Sequence, residues 1–385
     1  MKSDLSTICT YVTDKITVDK LTIDNYISTE NMLPNKCGVV KASSLPQVKQ
    51  VTHYKKGDVL VSNIRPYFKK IWLATNEGGC SNDVLVMRAR KDIETSFLYY
   101  VLSGDDFFEY STVTGKGTKM PRGDKTAIMK YQVPIITPEE QQRIVGLLNE
   151  LDKKIDINKE INDNLEQQAQ AVFKSWFVDF QPFGGELPSS WTNEKLGNIC
   201  NCVLGGTPSR SKPEYWNGTI PWINSGEVNN FRIIRPSETI TELGLSKSAT
   251  KLLPAKTTVI AITGATLGQL SLLEIDACAN QSVIGIIPNS NYPYEYIYPL
   301  IKQKINELTA HKTGGAQQHI NKQNVENLDI LVPTTIALEK YCNTVCHLYE
   351  MITNTCFENE HLTSLRDRLL PKLMSGELDI SDIEL

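Results

Sequence analysis

No stretch of this 385-residue chain approaches the roughly 18 uninterrupted apolar residues of a membrane-spanning helix, and its opening, MKSDLSTICTYVTDK, has no apolar leader core. Neither membrane insertion nor export is expected, and the cytoplasm is the default location. The nine cysteines include no C-x-x-C pair, only Cys200-x-Cys202 and the helically spaced Cys342 and Cys346, and the five histidines are scattered. Buried reduced thiols are expected rather than disulfides or zinc, and no metal site is expected. Catalytic signatures are missing as well. The chain has no N-P-P-Y or D-P-P-Y segment of an amino-methylating enzyme, no H-E-x-x-H and no G-x-S-x-G. TGKGTK at Thr114 has Tyr110 where a phosphate-cradling loop needs glycine, and reads as a glycine-rich turn. The chain is expected to be no enzyme and to bind no cofactor of its own.

What the chain has instead is two long heptad runs at a constant offset of 197 residues. In the first, seam positions fall at Ile144, Leu148, Leu151, Ile155, Asn158, Asn162, Leu165, Ala169, Val172 and Trp176. In the second they fall at Tyr341, Val345, Leu348, Ile352, Thr355, Asn359, Leu362, Arg366, Leu369 and Leu373. Steps of four and three keep one stripe on one helix face, the pattern of a coiled-coil seam. The polar positions sit mid-run in both. Antiparallel pairing about that centre puts Asn158 opposite Asn359 and Asn162 opposite Thr355, where they satisfy one another and fix register. Parallel pairing also juxtaposes polar layers, but the second helix has to return the chain, which favours antiparallel. The first helix should start on a capping box, with Thr137 as N-cap, Pro138 at N1 and Glu140 at N3, and end near Phe180.

The duplication extends into the globular segments. DLSTICTYV around Leu5 matches KLGNICNCV around Leu196, and GDVLVSNI from Gly57 matches TTVIAITG from Thr257. CSNDVLVM from Cys80 matches CANQSVIG from Cys278, TGKGTKMPRGDK from Thr114 matches TGGAQQHINKQN from Thr313, and YQVPIIT matches DILVPTT. Alternating β-branched runs broken by Gly, Asn and Pro predict a largely antiparallel sheet in each half, with one amphipathic helix near Phe97 to Tyr110 and one near Tyr294 to Thr309. The expected class is α+β: two tandem globular domains, residues 1–136 and 183–335, alternating with two long helices, residues 137–182 and 336–385. The helices pair as an antiparallel coiled coil in a pseudo-two-fold repeat.

The net charge of −4 hides an uneven distribution. Residues 1–135 carry 19 basic and 14 acidic side chains, whereas 136–182 carry 5 and 9 and 334–385 carry 4 and 9. The acid sits on the helices, so contact with a polyanion falls to the globular parts. Candidate contact loops carry the residue types that meet phosphates and base edges. In the first domain these are Arg65, Tyr67, Lys69 and Lys70 in SNIRPYFKK, beside Phe68, with Lys116, Thr118, Lys119 and Arg122 in the glycine-rich turn. In the second they are Thr207, Ser209, Arg210, Ser211, Lys212, Tyr215 and Asn224, followed by Gln317, Gln318 and His319. Trp216 and Trp222 read as packing residues.

Taken in order, TPEEQQRIVGLLNELDKKID, QAVFKSWFVDFQPF from Gln170, GGTPSRSKPEYWNGTIPW from Gly205 and LRDRLLPKLMSGELDI from Leu365 resemble the specificity (S) subunits of Type I restriction-modification systems over essentially the whole chain. One departure is that no counterpart of LPSSW, which ends at Trp191, precedes the first domain. The resemblance implies two target recognition domains that each read one half of a split double-stranded DNA target, and helices that set the gap and dock two modification (methyltransferase) subunits. It implies that the modification subunits bind S-adenosylmethionine and methylate adenine N6 on a flipped base, while restriction/translocase subunits use ATP and Mg. Two other readings stand beside it: the specificity subunit of a related Type II-like methyltransferase/nuclease system, and a coiled-coil adaptor that does not bind DNA.

Overall fold

The computed structural model describes residues 2–117, 119–310 and 319–378. Thr118, Gln317 and Gln318, three of the candidate contact residues, lie outside them. The chain forms two compact units, one of Met1–Lys153 with Leu362–Leu385 and the other of Lys154–His361. The long helices Pro138–Phe177 and Thr335–Ser375 each contribute to both.

In the first unit, strand Lys2–Asp4 pairs antiparallel with Gln132–Pro134. An all-antiparallel sheet runs in the order Cys9–Tyr11, Val84–Ala89, Val59–Ser62, Ile71–Leu73. Its inner strands are short continuous apolar runs, VLVS and VLVM, buried throughout, as expected of strands covered on both faces. A second sheet has the order Lys15–Thr17, Gln50–Tyr54, Gly78–Cys80, Tyr26–Ile27, the last pair parallel. The expected single amphipathic helix is two helices, Thr95–Ser103 and Asp105–Val113. Gly104 is extended at ψ 142°, and Asp105 and Asp106 start a fresh acidic first turn suited to the helix dipole. These helices bury Phe97, Leu98, Phe107 and Phe108 against Val59, Leu85 and Met87, in one core with Ile144, Leu148, Leu370 and Leu373 of the long helices.

The second unit repeats this plan. Thr192–Lys195 pairs antiparallel with Asp329–Val332. The antiparallel sheet has the order Asn201–Leu204, Val283–Ile287, Thr258–Ala261, Leu270–Leu272, the same connectivity as its counterpart. The other sheet has the order Glu238–Ile240, Trp216–Ile223, Ala277–Ala279, Leu252–Leu253, with Trp216–Ile223 and Ala277–Ala279 parallel. Among the described residues each unit therefore holds two four-stranded sheets, one of them with a parallel strand pair, where the sequence predicts a single largely antiparallel sheet. Here the amphipathic helix is continuous, Tyr294–Ala310.

The long helices pair antiparallel. In the second unit Asn158 Nδ2 donates to Asn359 Oδ1 at 2.9 Å, and the Thr355 hydroxyl donates to Asn162 Oδ1. The polar layers thus meet as the heptad pattern predicts. In the first unit Arg366 Nη1 reaches Asp152 at 2.6 Å, and Tyr100 donates to the other oxygen of the same carboxylate at 2.8 Å. Thr137 and Glu140 form the reciprocal capping box. Away from the centre the buried stripe leaves the strict seam: Phe173 and Phe177 are buried where Val172 and Trp176 are half-covered, and Leu370 is buried where Leu369 is half-covered. A helix end packed on both a helix and a domain needs a wider apolar face than a two-helix seam.

One charged cluster is buried in the second unit. Arg232, with its side chain 1% exposed, donates to Glu166 at 2.8 Å and lies 3.5 Å from Glu274. Lys302 takes the other oxygen of Glu166 at 2.9 Å, and Lys256 pairs with Glu274 and donates to Thr353. The globular part of the second unit and both long helices are joined by charge as well as by apolar packing.

Candidate nucleic-acid interface

In the first unit the two basic loops chosen from the sequence are brought together. Ile64 and Arg122 form an antiparallel bridge, Arg65 N–H donates to Pro121 O at 2.8 Å, and Gly123 N–H donates to Asn63 O at 3.1 Å. Lys116 and Arg122 bridge across the glycine-rich turn. The Ser62–Lys70 hairpin ends in a 3-10 turn, Pro66–Phe68, flanked by Arg65 and Lys69 in the left-handed region at φ 50° and 51°. This turn carries Tyr67 and Phe68 outward, 48% and 38% exposed, with ring centroids 4.8 Å apart. The segment before it is a support that sequence reading missed: Asn35 and Lys36 N–H groups donate to Phe68 O and Lys69 O, both at 2.9 Å.

The cations around this turn are unequally committed. Lys69 and Lys36 both pair with Asp105 at 2.9 Å, Lys116 with Asp124 at 2.5 Å, and Arg122 with Asp83 at 3.1 Å. Burial pushes the Asp105 carboxyl up, but the two ammonium groups outweigh it and hold the group below its ordinary range. Asp124 is held at about 2 by Lys116 and by the N–H groups of Ala127 and Thr126, whose helix it caps. Lys70 donates to Thr29 O at 2.6 Å, and burial lowers its pKa. Arg65, Lys70 and Lys119 are in no ion pair among the described residues. They are the charges that can meet a phosphate without first releasing a carboxylate.

In the second unit His319 forms the equivalent bridge, to Thr263, and Ile320 N–H donates to Ile262 O at 3.1 Å. Gly205 and Gly206 N–H groups bond Val283 O and Ala279 O at 3.0 and 2.8 Å, and the Thr207 hydroxyl donates to Gln281 in the adjoining turn. Gly205 has to be glycine, since a Cβ would stand 2.1 Å from Asn280 O. Further along, the candidate side chains hold their own loop. Arg210 forms a two-pronged pair with Glu238 and lies 3.6 Å from the Trp216 ring centroid. The Ser209 and Ser211 hydroxyls bond each other at 2.8 Å, Lys212 donates to the Tyr215 hydroxyl at 3.1 Å, and Asn224 donates to Glu227 and accepts from Gly226 N–H. Trp222 is buried and donates to Gly206 O, the packing role its sequence context predicts. Sequence reading missed the Thr263–Gly268 turn, which occupies the place of the basic turn but carries no charge to mark it.

Among the described residues no group of three or more His, Cys, Asp or Glu could hold a metal ion, and no helix is long and apolar enough to cross a membrane. All nine cysteines are unbridged.

The chain is 25% identical to the Type I restriction enzyme HindI specificity subunit of Haemophilus influenzae, over 92% of this chain and 94% of that one. It is 26% identical to the MjaIX specificity subunit of Methanocaldococcus jannaschii, over 86% and 79%. A crystal structure of a Type-I restriction-modification system S subunit from M. genitalium shares the fold at a TM-score of 0.52 and 16% identity, covering 99% of this chain and 96% of that one. The model of the Type I restriction modification DNA specificity domain matches twice, at residues 8–167 and 188–337, once for each repeat of the two-sheet plan, and the chain therefore belongs to that family as a Type I specificity subunit with two recognition domains.

Proposed function

We propose that this chain reads a split double-stranded DNA target, one half with each recognition domain, and carries the other subunits of a Type I complex on its helices. The observation that most supports this is the repetition: two copies of one family domain, each with a loop pair bridged at the edge of its antiparallel sheet. Two readers in one chain suit a target in two halves. In this reading the first unit meets DNA through Arg65, Tyr67, Lys70, Lys119 and their neighbours, and the second through Thr207 and His319 with the uncharged turn beside them. Lys69, Lys116, Arg122, Arg210 and Lys212 first exchange or share their present partners.

The chain itself makes no bond in this scheme. Two modification subunits supply S-adenosylmethionine and methylate adenine N6 in each half-site on a flipped base. Restriction/translocase subunits supply ATP and Mg. The deciding experiment maps methylated bases in DNA from cells carrying this chain and its modification partner, against cells lacking only this chain. A split motif with N6-methyladenine that disappears on deletion is expected. A motif that persists, or an active partner with no motif dependent on this chain, would leave the chain an adaptor.

A further inference from the structure

The two units build the same hairpin turn and fill it differently. Strand pairs Val59 with Leu73 and Thr258 with Leu272 correspond at an offset of 199 residues. So do the closing bonds: Ser62 N–H to Lys70 O with Ala261 N–H to Gln269 O, Asn63 N–H to Asp83 O with Ile262 N–H to Ser282 O, and Phe68 N–H to Arg65 O with Leu267 N–H to Gly264 O. The two left-handed positions coincide too. In the second unit they are Gly264 and Gly268, at φ 66° and 84°, where glycine is unstrained. In the first they are Arg65 and Lys69, so the turn keeps two side chains at positions that disfavour them. Between them, Tyr67 and Phe68 stand where the second unit has Thr266 and the half-buried Leu267.

We propose that Tyr67 and Phe68 form a stacking wedge that enters the DNA half-site met by the first unit and unstacks a base step there, while the second unit reads its half-site without one. This rests on the DNA-reading function proposed above. Three features favour DNA as the occupant. The rings are edge to face and outward-pointing at the end of a turn braced from both sides. The Arg65 guanidinium and the Lys70 ammonium each lie 5.9 Å from the Phe68 ring centroid, so cationic groups surround the apolar tip. The loop bridged to it brings Lys119, unpaired among the described residues. An aromatic tip ringed by cations fits stacked bases between phosphates better than an apolar protein face. Arg65 and Lys69 then hold their strained conformations because their side chains are needed at the wedge's base.

The test uses the full complex of this chain with its modification partner, and duplexes carrying the mapped motif. A fluorescent adenine analogue that brightens on unstacking is placed in turn at each position of both half-sites except the methylated adenine, its pairing partner and their neighbours, which base flipping itself unstacks in either half-site. The wild type is expected to brighten the analogue in one half-site only. Tyr67→Thr with Phe68→Leu, close to what the same turn carries in the second unit and so compatible with folding, is expected to abolish the signal and weaken binding about ten-fold or more. Arg65→Gly is expected to weaken binding while melting no lower than the wild type. Brightening that survives the double substitution, or none in the wild type while motif-dependent methylation persists, would overturn the wedge and leave the DNA-reading function standing. Loss of self-association of the complex in the double variant, with DNA binding intact, would assign the pair to contact between copies and likewise overturn it. Absence of any motif dependent on this chain would remove the function beneath it.

Discussion

Glu166 follows the seam residue Leu165 and has the appearance of a solvent-facing charge in a heptad, yet it is buried beneath Arg232 and Lys302. Burial alone would raise its carboxyl, but the two cations outweigh that and take it from the ordinary 4.5 down to about 2. A carboxylate depressed in the folded state contributes stability that is complete above its unfolded pKa and is lost as pH falls through the folded one. The second unit should therefore lose stability between about pH 4.5 and 2. Urea denaturation across that range should show the loss, and Glu166→Gln should flatten it; an unchanged slope in the variant would remove Glu166 from the account. Arg232→Met removes the guanidinium shared by two buried carboxylates, leaving Glu166 with Lys302 alone and Glu274 with Lys256 alone, and is expected to cost about 3 kcal/mol at neutral pH. None of this was legible in the sequence, because a buried ion pair is defined by residues far apart along the chain.

At the scale of elements, the long helices were the most legible part. Their seam steps, the Thr137 capping box and the facing of Asn158 with Asn359 and Asn162 with Thr355 all follow from local spacing, and all are present. Asn162 is 3% exposed, so its amide depends on its partners across the seam. Thr355→Val leaves Asn162 Oδ1 without the hydroxyl and is expected to cost about 1–3 kcal/mol, whereas Asn162→Leu with Thr355→Val together should be near neutral. A double-mutant cycle by chemical denaturation measures the coupling, and additive costs would mean that the layer does not act as a pair. Gly104, by contrast, gave no warning that it divides one predicted helix. A glycine within an amphipathic pattern is tolerated in many helices, and here the acidic pair Asp105–Asp106 decides in favour of a new start.

At the scale of the whole molecule, duplication is the governing fact, and it makes the recognition domains exchangeable in principle. Replacing residues 183–335 with the matching segment of a relative is expected to change one half of the methylated motif and leave the other. Methylation mapping of the hybrid checks this, and a change in both halves or in neither would contradict independent reading. The duplication is unequal at the candidate interface. The first unit places cations and aromatic rings on its turn, and the second places glycine, alanine, threonine and leucine on the same backbone. Loops from widely separated parts of the sequence meet only because the antiparallel sheet brings its hairpin beside the segment after the amphipathic helices.

The sequence by itself determined the helices, their pairing, the duplicated plan and the residue types available to meet DNA, because helix periodicity and repetition are written in local spacing. Tertiary structure alone decided which cations are already held by carboxylates, which loops share an edge, and where two side chains keep a left-handed turn. Those are properties of pairs and of backbone angles, and residues such as Arg65 and Gly264, or Glu166 and Arg232, acquire them only once the sheets and helices have brought their neighbours into place.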